Sequence, residues 1–120
     1  MAVLGLAFKP NSDDIRDSPA LDVARRLTEE GADVVAFDPE AMPNARRRVP
    51  GLVTAESVLE AVRDAEVVII ATEWREFRDL DPEGEVASAV AQRRLIDGRN
   101  CVDLDRWRAA GWQVRALGRP

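Results

Sequence analysis

Val67-Val68-Ile69-Ile70-Ala71 is an unbroken apolar run rich in β-branched side chains. Such residues favour extended backbone. A strand with one wet face would alternate apolar and polar positions. This run does not, so it reads as a strand buried on both faces, as in a parallel sheet. On its N-terminal side, Ser57-Val58-Leu59-Glu60 has the capping-box pattern and opens a helix through Val62. Asp33 to Phe37 reads as a strand closed by Asp38-Pro39, and Glu40 to Arg48 as a short helix. Ser18-Pro19 starts another helix, with Ser as cap and Pro in the first turn. Ala20, Val23, Ala24 and Leu27 then follow helical spacing, and Gly31 ends it. Val3 to Phe8 reads as the first strand. On the C-terminal side, Asp81-Pro82 starts a helix running to about Gln92, and Leu95-Ile96-Asp97 is a short strand. Asp103 caps a helix containing Leu104 and Trp107 that ends at Gly111. Trp112 to Leu117 is the last strand.

Strands and helices therefore alternate from end to end. Parallel strands joined by helical crossovers predict an α/β fold: a doubly wound (Rossmann-like), mostly parallel sheet of five to six strands flanked by helices. At 120 residues the chain reads as a single domain, 1–120. A net charge of −5 argues against a nucleic-acid partner, which would select a basic face. One cysteine allows no internal disulfide. The absence of histidine removes the usual zinc and haem ligand sets and every Ser-His or Cys-His pair. No apolar stretch approaches the roughly twenty residues of a membrane span. The start carries no basic leader, so the expected location is cytoplasmic.

In an open parallel sheet, ligands bind beyond the carboxyl ends of the strands. Those ends carry Phe8-Lys9, Asp38, Thr72-Glu73-Trp74 and Arg99-Asn100. Lys9 is the only lysine, and Arg16 stands in the polar loop that follows it. If strands one and four lie near each other, Lys9, Arg16 and Arg99 converge on an anion site, most simply one for phosphates. Other features have plainer readings. Asp13, Asp14 and Asp17 suit turn and capping chemistry near a helix start. Cys101 has no activating neighbour in sequence and reads as inert. Arg46-Arg47-Arg48 reads as a solvated face, and Trp74, Trp107 and Trp112 as packing residues, with a site-bordering role for Glu73-Trp74 left open. Asp38 would suit a ribose only beside a Gly-x-Gly-x-x-Gly turn, which the chain lacks.

The run Gly5-Leu6-Ala7-Phe8-Lys9-Pro10-Asn11-Ser12-Asp13-Asp14-Ile15-Arg16-Asp17-Ser18-Pro19 resembles the signature opening the C-terminal domain of the UDP-glucose/GDP-mannose dehydrogenase family. The resemblance continues through Asp38-Pro39-Glu40-Ala41-Met42, Ala71-Thr72-Glu73-Trp74, Phe77, Asp97-Gly98-Arg99-Asn100 and Ala109-Ala110-Gly111-Trp112. It implies the UDP-sugar-binding part of an enzyme that oxidises a nucleotide-sugar alcohol to a carboxylate. Such enzymes use two NAD⁺ per turnover and a thioester on a cysteine of a central region absent here. By that resemblance Phe8, Lys9 and Arg99 contact the nucleotide sugar, and Arg16 reaches the NAD pyrophosphate. No catalytic residue and no metal ligand is expected in this chain. Its partners would be the UDP-sugar and the NAD-binding and central parts of its own longer chain, within a homo-oligomer. Two other readings stay open: a receiver-like signalling module, and a binding protein that keeps the fold without catalysis.

Overall fold

The computed structural model describes residues 1–116. Its elements run β1 (Ala2–Leu4), α1 (Pro19–Glu29), β2 (Val35–Phe37), α2 (Met42–Arg48), α3 (Val58–Val62), β3 (Val68–Ile70), α4 (Arg75–Arg78), α5 (Glu85–Ala89), β4 (Arg94–Asp97), α6 (Leu104–Ala109) and β5 (Gln113–Ala116). The five strands pair in the order β2-β1-β3-β4-β5, every neighbour parallel. The strand order reverses between β1 and β3, which makes that gap the switch point of a doubly wound sheet.

The helix ends follow their sequence signals. Ser18, Ser57 and Asp103 accept the amides of Leu21, Glu60 and Arg106 and so cap α1, α3 and α6. Gly31 and Gly111 take the left-handed backbone that follows a helix end.

Right-handed crossovers put α1 on one face of the sheet and α3, α5 and α6 on the other. The register shows the effect. On the three-helix face, the cross-sheet row Ala2, Val68, Leu95 and Val114 is buried throughout. On the other face, Ala36 and Val3 are buried under α1, Ile69 is half-buried, and Ile96 is 40% exposed. The helical layer is pinned by aromatic side chains. Trp107 and Trp112 meet edge to face at 4.8 Å, and Trp112 Nε1 donates to the Pro82 carbonyl at 2.8 Å. Phe77 of α4 is fully buried edge-on to Phe37.

Two expectations need correction. The first strand stops at Leu4, not Phe8, because Gly5 turns the chain at φ +108°. The helix expected over 81–92 is confined to α5, because the Asp81 carboxylate accepts the Glu83 amide in a local turn and Gly84 follows. The four-residue α4 had no period to betray it. The expected last strand reaches Ala116; Leu117 lies outside the described residues.

Candidate functional site: a clamped loop at the switch point

Gly5 begins the loop that carries Phe8 and Lys9. A Cβ there would lie 2.5 Å from the Thr72 amide nitrogen, so the loops after β1 and β3 can touch only because residue 5 has no side chain. Beyond Gly5 the backbone groups are taken one after another. The Leu6 and Ala7 amides donate to Asp38 Oδ2 at 2.8 and 3.0 Å. Ser18 Oγ donates to the Leu6 carbonyl at 2.7 Å, and Thr72 Oγ1 donates to the Ala7 carbonyl at 2.8 Å. The Phe8 amide donates to the Asp14 carbonyl at 2.7 Å. Asp38, Thr72, the cap of α1 and the loop's own Asp14 thus fix a stretch with no regular structure.

Asp38 organises them. It is 0% exposed and accepts five N–H groups. Besides Leu6 and Ala7, Oδ2 takes Trp74 Nε1 at 3.0 Å, and Oδ1 takes the Glu40 and Ala41 amides at 2.9 and 2.8 Å. A buried carboxylate is tolerated when its lone pairs are met in this way. A ribose would find no room and no free acceptor here, so Asp38 is a structural latch. The sequence signal for it is faint: an aspartate at a strand end is ordinary, and three of its five donors lie more than thirty residues away, Leu6 and Ala7 before it and Trp74 after it.

The clamped backbone leaves two side chains outside, Phe8 at 46% exposure and Lys9, also exposed. Arg16 stands in the same β1–α1 loop. Its Nε and Nη2 donate to the two oxygens of Asp14 at 3.1 Å each, and its amide donates to Asp14 Oδ1 at 2.9 Å. These bonds hold the Asp14 carboxyl below its ordinary range, with a smaller pull from the nearby Lys9 ammonium. Lys9 and Arg16 are therefore brought together around one carboxylate, as local turn chemistry. The guanidinium still reaches outward, 85% exposed. A hollow of about 720 Å³ opens beside it, bordered by Asp14, Asn44, Arg47 and Arg48.

Arg99 follows β4, which is separated from β1 by β3. The direct approach of strands one and four does not occur, and Arg99 stands about 10 Å further along the rim, two strand spacings from the Lys9 loop. It remains on the same carboxyl-terminal rim. Its Nε and Nη2 form a fork onto Glu73 at 2.8 and 3.3 Å. Glu73 in turn follows Thr72, whose hydroxyl holds the Ala7 carbonyl, so one chain of contacts joins the two cations. The sequence pointed to Glu73 only as a border; accepting the Arg99 fork is its more specific role.

Cys101 is half-buried. Burial first, and then the charge and hydrogen bonding of Asp97, push its thiol up to about 12. A thiol that stays protonated at neutral pH is a poor nucleophile.

Residues 2–104 match the model of the UDP-glucose/GDP-mannose dehydrogenase family, UDP binding domain. The chain is 44% identical over 120 residues to a UDP-glucose 6-dehydrogenase of Rhizobium meliloti, covering 100% of this chain and 27% of that protein. It is 46% identical over 102 residues to the UDP-glucose 6-dehydrogenase AglM of Haloferax volcanii, covering 85% and 23%. Among solved structures, a UDP-glucose dehydrogenase from Pyrobaculum islandicum superposes with a TM-score of 0.69 at 35% identity, covering 93% of this chain and 25% of that one. A UDP-D-ManNAc dehydrogenase from Pyrococcus horikoshii gives 0.79 at 29%, covering 98% and 25%. The chain thus spans about a quarter of the length of these relatives. It belongs to the UDP-glucose/GDP-mannose dehydrogenase family, as that family's UDP-binding domain.

Proposed function

We propose that this chain is the nucleotide-sugar-binding part of a longer, NAD-dependent UDP-glucose 6-dehydrogenase. In this reading Phe8, Lys9 and Arg99 contact the UDP-sugar, and Arg16 reaches the NAD pyrophosphate. The longer enzyme, a cytoplasmic homo-oligomer, supplies the cofactor site and the thiol.

The observation that carries the reading is the clamped loop. A backbone held by Asp38, Ser18, Thr72 and Asp14 offers Lys9 and Phe8 in one geometry before any ligand arrives. Ordering that is already complete does not weaken binding. Lys9 supplies a compact ammonium for phosphate or sugar oxygens, and Phe8 an apolar wall. The Arg99 fork, now on a carboxylate, has the geometry that also pairs two phosphate oxygens. These residues do not build a dinucleotide site of their own. The glycine fingerprint is absent, and the buried Asp38 is fully engaged by five N–H donors. The receiver-like alternative needs an aspartate at the end of the central strand. That position belongs to Ala71 and Thr72, and the Thr72 hydroxyl is bonded to Ala7.

The test is a titration of the 120-residue chain with UDP-glucose, followed by amide NMR shifts, beside an assay of NADH production. The reading expects shifts confined to Phe8, Lys9 and the 97–100 turn, weak affinity, and no NADH. Lys9→Ala and Arg99→Ala should each abolish the shifts. Rapid NADH formation by the chain alone, or shifts that ignore both substitutions, would overturn it.

A further inference from the structure

All-parallel sheets occur almost only with both faces covered, yet one face here is covered over only part of its width. On the α1 side, burial fades from Val3 to Ile69 to Ile96 as the row crosses from β1 to β4. Residues two apart in a strand share a face, so Arg94 lies on this side with Ile96, and Arg115, the partner of Ile96 on β5, joins them. Both arginines are exposed, and neither forms an ion pair among the described residues.

Helix α1 continues the same surface. Its Leu21–Arg25 flank borders a groove with Arg48 and Val49, toward β2. At 100° per residue, Val23 and Leu27 fall on the opposite flank, toward β3. Val23 is one of the few large apolar side chains left exposed among the described residues. Val23, Leu27, Ile69 and Ile96 therefore border one open trough, rimmed on its far side by Arg94 and Arg115.

We propose that this trough seats an amphipathic helix whose aliphatic stripe is flanked by carboxylates, supplied by the part of the longer protein outside residues 1–120. The inference rests on the reading of the chain as one portion of a longer dehydrogenase. Three observations favour this occupant. The layer rule calls for a helix on the bare half of the sheet. About three quarters of the relatives' length lies outside the matched region. The charge on the rim is of one sign: no described residue of β3, β4 or β5 on this face is acidic. A second copy docking about a two-fold axis would bring two arginine rims of the same sign into one interface, whereas carboxylates beside an apolar stripe answer them.

The experiment places a reporter thiol in the trough, Ile96→Cys on a Cys101→Ser background, with Arg115→Cys as a second probe, and reads labelling at the reporter's own peptide by mass spectrometry so that other thiols of the longer protein do not count. Maleimide labelling is timed in the 120-residue chain and in the longer protein that contains it. Labelling in the longer protein should be at least tenfold slower, at every protein concentration. Arg94→Glu with Arg115→Glu, probed at Ile96→Cys, should restore fast labelling. Equal rates in the two proteins overturn the proposal. Protection that vanishes on dilution also overturns it, because a second copy then covers the face. Protection that survives charge reversal rules out the carboxylate-flanked helix. UDP-glucose oxidation by the same longer protein separates the two readings. An active but unprotected protein sinks only the docking helix, and a protected but inactive one sinks only the proposed function.

Discussion

Two fully buried aspartates flank the switch point, Asp38 just after β2 and Asp97 at the end of β4. They look alike in burial and differ in reach. Asp38 collects donors from the β1–α1 loop, from its own β2–α2 turn, and from Trp74 beyond β3. Asp97 accepts the Arg99, Cys101 and Val102 amides from the turn directly after it. The first carboxylate assembles distant segments into the presenting loop. The second shapes one turn and, within it, a quiet thiol. Equal burial therefore does not mean equal architectural weight; what counts is how far along the chain the donors lie.

The sharpest way to break this contrast is to remove each carboxylate. Asp38→Ala would leave five donors without partners. At about 1–3 kcal/mol for each unsatisfied buried group, less what water recovers, the expected loss is at least about 4 kcal/mol. That is a large part of a typical domain's total of about 5–15 kcal/mol. Asp97→Ala should lose about half as much, with fast hydrogen exchange confined to residues 99–102. Urea unfolding of the two variants checks the ratio; matching midpoints would erase the distinction.

The neighbouring glycines sharpen it. Gly5→Ala meets both a left-handed backbone and a 2.5 Å contact with Thr72, and should destabilise by about 3 kcal/mol. Gly98→Ala meets only the Ile70 carbonyl at 3.0 Å and should lose about 1 kcal/mol. Thermal melts of the pair provide the comparison.

These contrasts also mark what could be read from residues alone. Caps at Ser18, Ser57 and Asp103 were legible because their chemistry is local: an oxygen and an amide two or three residues apart. The parallel sheet was legible because burial on two faces leaves an unbroken run such as 67–71. The hold of Asp38 on Leu6 and Trp74 was not, because a contact across thirty residues leaves no period or spacing. The same gap hid the true end of β1. Leu6 and Ala7 are apolar and buried, as strand residues would be, but they are buried by a latch. In the proposed site, Lys9, Arg16 and Arg99 stood out as cations at or near strand ends, and Phe8 through the family resemblance. The Arg99 fork onto Glu73 could not be seen, since it depends on β3 and β4 being neighbours in the sheet.

A smaller effect tests the Asp97 side. The Cys101 thiol, raised from an ordinary 9.0 to about 12, should resist iodoacetamide at pH 8–9. Asp97→Asn should move the inflection of the alkylation–pH profile downward by removing a negative charge. The linkage runs the same way. Between pH 9 and 12 the unfolded chain ionises its thiol while the folded one keeps the proton, so stability falls as pH rises through that window. The smallest effect belongs to Arg16→Ala. Its pair with Asp14 is solvent-screened, and the urea midpoint should not move measurably. A clear shift would show that the loop leans on this pair as well as on Asp38.

Because the amides and carbonyls of Leu6 and Ala7 are all committed to the scaffold, this stretch has no main-chain groups left to grip a ligand. In the proposed function, recognition therefore falls to the side chains of Phe8 and Lys9. A protein so built can change what it selects by swapping two outward residues while its folding instructions stay untouched, which makes this corner a natural place to engineer altered ligand preference.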